Sequence, residues 1–326
     1  MTIYDLKELG VQDLSFYLAL EKYLINGKLD SDVFFLWDIG KSIIIGKNQV
    51  LENEVNLDKA KDFGAKIYRR PSGGGGIYAD NGCFMYTFIT KSMPKDEVYK
   101  WCLPKMVKAL EKLSVNATFS GRNDLCFKEK KFSGCAIYYE NGYSVLHGTF
   151  LFDTDLDALE QILTPNTEKL ESKGIKSVKS RVINLKPFIK MEKYELMDYL
   201  INNICDDSCI KRLENNEINK VFDIKKDFDR YDYIYLNEPE YSFINKKRFS
   251  FGSIEVRVLV KKGKIKDIKG YGDFFFTREV CSYFNKFISL EFKKEAIRDK
   301  ILEDDISLYI IDAKNSDIME LFDLGD

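Results

Sequence analysis

RRPSGGGGIYADNG, residues 69–82, is the segment of this chain that says most about its fold and chemistry. Four successive glycines, Gly73 to Gly76, admit backbone conformations that other residues avoid, and they let amide N–H groups approach a ligand without interference from Cβ atoms. Together with the guanidinium of Arg70, these amides predict a cradle for an anion. The spacing fits neither a phosphate-binding P-loop nor a dinucleotide fingerprint, because no helix is predicted after the glycines. A flexible hairpin tip is the alternative interpretation.

The composition describes a folded protein without a dominant charge. The chain has 326 residues, enough for about two domains. Hydrophobic residues make up 45% and charged residues 31%, and the net charge is −2, so no basic field indicates a nucleic-acid partner. His147 is the single histidine. Multi-histidine metal sites are therefore excluded, and any triad chemistry must use His147.

The cysteines and the apolar runs indicate where the protein works. Seven cysteines form no CxxC pair, which predicts reduced thiols in a cytoplasmic protein. The first residues lack a basic segment followed by an apolar one, and no apolar run approaches the ~20 residues that cross a bilayer. We therefore expect neither secretion nor membrane insertion.

Apolar periodicity predicts an α+β fold, a mixed β-sheet flanked by helices, over the first two-thirds of the chain. The runs 33–37 and 42–45 lack polar alternation, so both strands should be buried on two faces. Further strands are predicted at 66–69, 77–79, 83–90, 116–120, 132–138 and 145–152. Helices are predicted at 12–27, 52–63, 96–113, 155–163, 191–204 and 214–228. Glu21 falls on the buried face of the first helix, where a carboxylate usually has a structural partner.

A domain boundary is predicted where Asn237, Pro239 and Asn245 interrupt the helical pattern. This gives one domain at 1–240 and a small α/β accessory domain at 248–326. The accessory domain should open with a hairpin, 248–261 and 264–269, around a Lys-Gly-Lys turn. Helices should follow at 277–286, 293–302 and 315–323.

Further motifs follow the glycine segment, each weak by itself. They are GRNDL at 121–125, KKFSGCA at 130–136, HGTFLF at 147–152 and SVKSRVINL at 177–185. Upstream lie IGKNQ at 45–49 and EVN at 54–56, and GDFF lies downstream at 272–275. In this order and spacing, the segments resemble the lipoate–protein ligase family, bipartite form, over roughly residues 10–280. The resemblance implies the catalytic-domain fold shared with biotin ligases and class II aminoacyl-tRNA synthetases.

The resemblance also implies a reaction. Lipoate and ATP form lipoyl-AMP and pyrophosphate, with Mg²⁺ neutralising the departing pyrophosphate, and a lysine of a carrier domain then accepts the lipoyl group. The implied carriers are the lipoyl domains of 2-oxoacid dehydrogenase E2 subunits, the H protein of the glycine cleavage system, or both. By analogy with the family, Lys131 is the catalytic residue that bridges the lipoate carboxylate and the α-phosphate.

Other roles follow from the same match. Asp124 is a candidate metal ligand. The implied ATP and adenylate contacts are Arg70, Gly75, Gly76, Ile77, Tyr78, Asn123, Asp124, Ser180 and Arg181. The implied lipoate contacts are Leu18, Trp37, Ile44, Arg70, Ser72, Gly74, Gly75, Lys131, Gly134 and His147. The polar segment 164–180 would be the lid over the adenylate.

Two positions depart from the family pattern, and two alternatives stay open. Ala79 and Cys83 replace the family's histidine and asparagine, which predicts a less polar acyl pocket. Cys126 and Cys135 suggest an octanoyl or lipoyl amidotransferase that uses a thiol and no ATP. However, no element typical of those transferases accompanies Cys126. A non-catalytic module that binds lipoate or a carrier domain is the second alternative.

Overall fold

A computed structural model of the chain describes residues 1–120, 123–163, 178–236 and 241–322. The chain divides into two compact units. The first contains Met1–Ile45, Glu52–Arg70 and Gly76–Ile234, and the second contains Gly46–Leu51, Pro71–Gly75 and Tyr235–Asp326. The stretch Pro71–Gly75 of the glycine segment therefore belongs to the second unit, which a division of the sequence into two continuous domains does not anticipate.

The strands and helices that periodicity predicts are present close to their predicted positions, together with several short elements that it does not predict. The strands are β1 Thr2–Tyr4, β2 Val33–Trp37, β3 Ser42–Ile45, β4 Lys66–Arg69, β5 Ile77–Ala79, β6 Cys83–Lys91, β7 Thr118–Ser120, β8 Asp124–Phe127, β9 Lys130–Glu140, β10 Tyr143–Leu151, β11 Cys209–Lys211, β12 Phe243–Phe249, β13 Gly252–Lys261 and β14 Lys264–Gly272. The helices are α1 Leu14–Asn26, α2 Leu57–Asp62, α3 Lys95–Glu111, α4 Leu156–Ile162, α5 Val178–Arg181, α6 Lys193–Asn203, α7 Asn215–Phe228, α8 Tyr231–Tyr235, α9 Val280–Phe284, α10 Lys294–Leu302 and α11 Asn315–Leu321.

The first unit is built on an eight-stranded mixed sheet with the strand order β11-β1-β2-β6-β10-β9-β8-β7. Strand β1 pairs in parallel with β11 and β2, and the pairs from β2 through β6, β10, β9 and β8 to β7 are antiparallel. The predicted mixed sheet flanked by helices is confirmed. A second sheet, β4-β3-β5, holds the two strands that the glycine segment connects.

Both faces of the large sheet are covered, as the apolar runs predict. Along β2, Val33, Phe35 and Trp37 pack in a core cluster with α1. Phe34 and Leu36 alternate with them and pack on the opposite face with α3. Because side chains alternate across a strand, a strand buried on both sides has no polar positions. We refer to these two sides as the α1 face and the α3 face.

Several predicted boundaries are wrong for local reasons. The helix predicted over 52–63 begins only at Leu57, because the Asn56 side chain accepts a hydrogen bond from Lys59 N at 3.1 Å and caps α2 there. Strands β1, β8 and β11 have only three or four residues, too few for a periodic signal. Strand β12 was also missed, since its polar side chains were assigned to the boundary region.

The second unit contains the three-stranded antiparallel sheet β12-β13-β14 and the last three helices. The predicted hairpin is confirmed between β13 and β14, where Lys262 and Gly263 both have positive φ. Asp273 of the GDFF element accepts a hydrogen bond from Ser253 N at 2.6 Å, and Phe274 is buried in the core of this unit. None of the helices in the described residues is long and apolar enough to cross a membrane.

Candidate active site

A β-bulge positions Lys131, the predicted catalytic residue. In the pairing of β8 with β9, Leu125 opposes Ser133 and Cys126 opposes Lys131, so Phe132 is an extra residue without a counterpart. Phe132 and Cys135 both pack in the core cluster of the α3 face, although an odd separation should put them on opposite faces. The bulge restores Lys131 to the same face as Gly134, the α1 face.

Gly134 leaves the space that the lysine side chain occupies. A Cβ built on Gly134 would lie 2.3 Å from Lys131 Nζ and 2.6 Å from its Cε. The lysine side chain therefore folds back directly over the glycine backbone. Thr149 of the neighbouring strand holds this backbone from the side, because the Gly134 amide donates to Thr149 Oγ1 at 3.2 Å. A close approach of this kind requires glycine at position 134.

Asp124 holds the ammonium group and a second cation. Lys131 Nζ lies 2.7 Å from Asp124 Oδ1, and Arg181 donates to Asp124 Oδ2. The Asp124 side chain is 9% exposed, whereas Lys131 and Arg181 are 24% and 30% exposed. Two cations and one carboxylate leave this group with a net positive charge that solvent reaches. The arrangement suits a ligand that brings negative charge.

The chain segment after α5 places Arg181 beside Lys131. Val182 forms a parallel bridge with Lys131, and the Ile183 amide donates to the Lys131 carbonyl at 2.9 Å. The Asn123 side chain donates to the Cys135 carbonyl at 2.6 Å. Ser180 is exposed on α5. Gly121, Arg122 and most of the predicted lid, 164–177, lie outside the described residues.

His147 belongs to a buried polar network on the α1 face. Its Nδ1 lies 3.1 Å and 3.2 Å from the two oxygens of Glu21, the carboxylate predicted on the buried face of α1. Thr87 donates to Glu21 at 2.7 Å and accepts from the indole of Trp37 at 3.0 Å, and the Tyr138 hydroxyl donates to Glu21 at 3.3 Å. Sequence reasoning missed Thr87 and Tyr138. For Thr87 the sequence offers one signal, because this polar residue shares a strand face with the apolar Met85 and Ile89.

Arg70 is buried at the end of β4. Its guanidinium donates to the Ile44 carbonyl at 3.1 Å. Burial lowers the pKa of Arg70 to about 10, and the nearby Glu54 opposes that effect, so the guanidinium stays charged at neutral pH. Leu18 and Ile44 are buried in the same core cluster as Trp37. Ala79 and Cys83, the two departures from the family pattern, are also members of that cluster.

The predicted glycine cradle is split between the two units. Ser72, Gly74 and Gly75 belong to the second unit, where Gly74 has φ +90° and its amide donates to the Phe274 carbonyl at 3.3 Å. A Cβ on Gly73 would lie 2.2 Å from that carbonyl oxygen. Gly76, Ile77 and Tyr78 belong to the first unit, and Tyr78 is buried in β5.

Neither thiol near Lys131 is prepared for nucleophilic attack. Burial raises the pKa of Cys135 to about 11, and its Sγ lies on the α3 face, 3.0 Å from the Tyr86 hydroxyl. Burial, and to a smaller extent the negative charge of Asp124, raises the pKa of Cys126. A cysteine nucleophile needs a lowered pKa to supply thiolate. The chemistry of both thiols therefore disfavours the amidotransferase alternative.

The described residues do not fit a magnesium site built by the protein alone. They contain no group of three or more His, Cys, Asp and Glu side chains that could hold a metal ion. Asp124, the candidate ligand, uses both carboxylate oxygens to bind Lys131 and Arg181.

Comparisons with known proteins identify the family of this chain. A family model described as "Lipoyl protein ligase A/B catalytic domain" matches residues 13–205. A second, "Bacterial lipoate protein ligase C-terminus", matches residues 238–322. Lipoate-protein ligase LplJ of Bacillus subtilis is 32% identical over 96% of this chain and 97% of its own length. Lipoate–protein ligase 1 of Staphylococcus aureus is 30% identical over 96% of this chain and 97% of its own length. The chain belongs to the lipoate–protein ligase family.

Solved structures share the fold. P. falciparum LipL1 in complex with lipoate aligns with a TM-score of 0.78 at 23% identity, covering 98% of this chain and 97% of that one. A bipartite lipoate protein ligase from Thermoplasma acidophilum aligns with a TM-score of 0.63 at 24% identity, covering 73% of this chain and 98% of that one. At this level of identity the alignments establish a common fold.

Proposed function

We propose that this chain is an ATP-dependent lipoate–protein ligase that works through lipoyl-AMP. The observation that carries the proposal is the Lys131 ammonium, folded over Gly134 and held 2.7 Å from Asp124 in a net positive group that solvent reaches. Family membership supports the activity. The geometry of Lys131 supports the first chemical step.

In the first step a lipoate carboxylate oxygen attacks the α-phosphorus of ATP. The acyl–phosphate bond forms, the bond to the β-phosphate breaks, and pyrophosphate leaves with that electron pair. Two anions about 4 Å apart repel by about 4 kcal/mol at an effective dielectric constant of 20. Lys131, placed between the carboxylate and the α-phosphate, offsets this repulsion, and Arg181 adds positive charge on the same side.

In the second step a carrier lysine attacks the acyl carbon of lipoyl-AMP. The neutral amine forms the amide bond and releases one proton to solvent, and AMP leaves with the electrons of the acyl–phosphate bond. Lys131 remains paired with the adenylate phosphate and stabilises that leaving group. As carriers we propose lipoyl domains of E2 subunits, the glycine cleavage H protein, or both. We place the reaction in the cytoplasm, since all seven cysteines are free thiols.

The acyl pocket is proposed along the α1 face, where Leu18, Trp37 and Ile44 supply apolar surface. Ala79 and Cys83 add no charge to this pocket. Alanine has no ionisable group, and burial raises the pKa of Cys83 to about 12 and keeps its thiol neutral. Discrimination between acyl tails therefore rests on shape and apolar contact.

Pyrophosphate release tests the proposal. The purified protein is incubated with lipoate and ATP, and pyrophosphate and lipoyl-AMP are measured before and after a lipoyl domain is added. We expect pyrophosphate to depend on both substrates and carrier lipoylation to follow. Lys131→Ala should slow this release by about 10²–10³-fold, whereas Lys130→Ala, a change of the adjacent exposed lysine, should not slow it.

Two results would contradict the proposal. Acyl transfer between carrier domains that persists without ATP would identify an amidotransferase. Binding of lipoate without any adenylate or transfer would identify a non-catalytic module.

A further inference from the structure

On the α3 face of β9, behind Lys131, a tyrosine from strand β6 contacts both neighbours of Gly134. The Tyr86 hydroxyl lies 2.8 Å from Ser133 Oγ and 3.0 Å from Cys135 Sγ. Ser133 and Cys135 flank the glycine over which the Lys131 side chain folds. Tyr86 therefore contacts the side chains of both residues that flank Gly134, from the side of the sheet opposite the reactive lysine.

The path of the tyrosine ring requires a second glycine. Tyr86 stands on β6, and in the sheet its direct neighbour on β10 is Gly148. A Cβ on Gly148 would lie 2.4 Å from Tyr86 Cζ and 2.5 Å from its hydroxyl oxygen. The ring thus crosses the whole of β10 to reach β9, and only glycine at position 148 leaves room for it.

The tyrosine hydroxyl is fully buried and neutral. Tyr86 is 0% exposed, and burial raises the pKa of its phenol well above the ordinary value. A buried hydroxyl that can donate one hydrogen bond and accept another matches its two partners, which lie on either side of position 134. Simple packing of the ring would need neither contact.

We propose that Tyr86 is a positioning residue for adenylate formation. It fixes the backbone at Gly134 and thereby sets the height of the Lys131 ammonium above the sheet. This inference rests on the proposed function, because it assigns Tyr86 a part in the charge compensation by Lys131. It adds a residue that touches neither substrate and that none of the sequence motifs contains.

Tyr86→Phe tests the proposal, since it removes the hydroxyl and keeps the ring. We expect the kcat of lipoyl-AMP formation to fall about tenfold, because a shift of about 1 Å in a catalytic group costs up to ~10²-fold. The KM for ATP should stay within about twofold, since the displaced group acts in the transition state. Tyr199→Phe is the matched control. It removes a hydrogen bond of 3.0 Å to the Ala109 carbonyl, next to the same core cluster but away from β9.

Ser133→Ala keeps the inference testable if Tyr86→Phe folds poorly. It removes the same 2.8 Å contact from the other side and should lower kcat in the same way. The double variant should be no slower than the slower single variant, since both changes break one interaction. Additive losses, a kcat within twofold of wild type in both single variants, or an equal loss in Tyr199→Phe would overturn the proposal. A wild-type protein that makes no lipoyl-AMP would instead refute the proposed function.

Discussion

Gly134→Ala should disable the lysine without damaging the fold. The new Cβ would lie 2.3 Å from Lys131 Nζ, whereas ordinary contact begins at 3.4 Å. The ammonium must therefore retreat by roughly 1 Å, a displacement that costs up to about 10²-fold in rate. This loss corresponds to about 2.7 kcal/mol of transition-state stabilisation. The atoms nearest the new methyl group are the far end of a flexible side chain, so the fold can accommodate it.

Pre-steady-state formation of lipoyl-AMP is the assay for this prediction, with thermal unfolding measured alongside. We expect adenylation to slow by about two orders of magnitude, while the unfolding midpoint shifts by no more than a few degrees. Gly40→Ala is the matched control, because a Cβ there meets nothing within 4 Å. In the background of Lys131→Ala, the Gly134 change should have no further effect, since it acts through the missing amine. Wild-type adenylation in Gly134→Ala, or an undiminished effect in the Lys131→Ala background, would refute the reasoning.

Three further predictions concern Lys131, the two thiols and the acyl pocket. Lys131→Ala should slow adenylation by about 10²–10³-fold. Lys131→Arg should be similarly slow, because a planar guanidinium cannot replace a compact charge that two anions approach. Single-turnover kinetics of lipoyl-AMP formation measure both rates. Cys126→Ser and Cys135→Ser should keep ATP-dependent transfer within about threefold, since neither protonated thiol serves as a nucleophile; a dead variant in a carrier-lipoylation assay would contradict this. With Ala79 and Cys83 in the apolar cluster, octanoate should compete with lipoate at a discrimination of about 1–3 kcal/mol, measured by competitive adenylation; a preference above about a thousandfold would exceed that range.

The sequence predicts the central strands well because burial dominates them. Val33–Trp37 and Ser42–Ile45 were placed to the residue, since apolar runs covered on both faces have few alternative structures. The helix boundary at Leu57 depended on one asparagine side chain that caps the helix, a local contact that periodicity does not report. Short strands such as Cys209–Lys211 form only because β1 offers a partner edge, so their signal lies in tertiary structure.

The candidate site was predictable in its residues but not in its arrangement. The motifs indicated Lys131, Asp124 and Arg181, and the structure brings these three together. The sequence predicts a metal or nucleotide contact for Asp124, and in the structure this carboxylate pairs with Lys131 and Arg181. The motifs do not reveal this pairing, because the three residues belong to separate segments of the sequence. Tyr86 carries no motif signal. Its importance arises from a register across three strands that only the fold defines.

The spacing between Lys131 and Gly134 in the lysine motif is explained by which face of the sheet each residue points to. In a regular strand, residues three apart point to opposite sides, so Lys131 could not cover Gly134. The extra residue Phe132 corrects this parity, which explains why one residue stands between the lysine and the serine-glycine pair. Ser133 then faces Tyr86 while Gly134 faces the ammonium. On β10, Thr149 binds the Gly134 amide by the same alternation. The lysine motif on β9 and the histidine motif on β10 therefore lie on neighbouring strands. Thr149 contacts the Gly134 backbone on the face that carries the ammonium group, and Tyr86 contacts the flanking side chains on the opposite face.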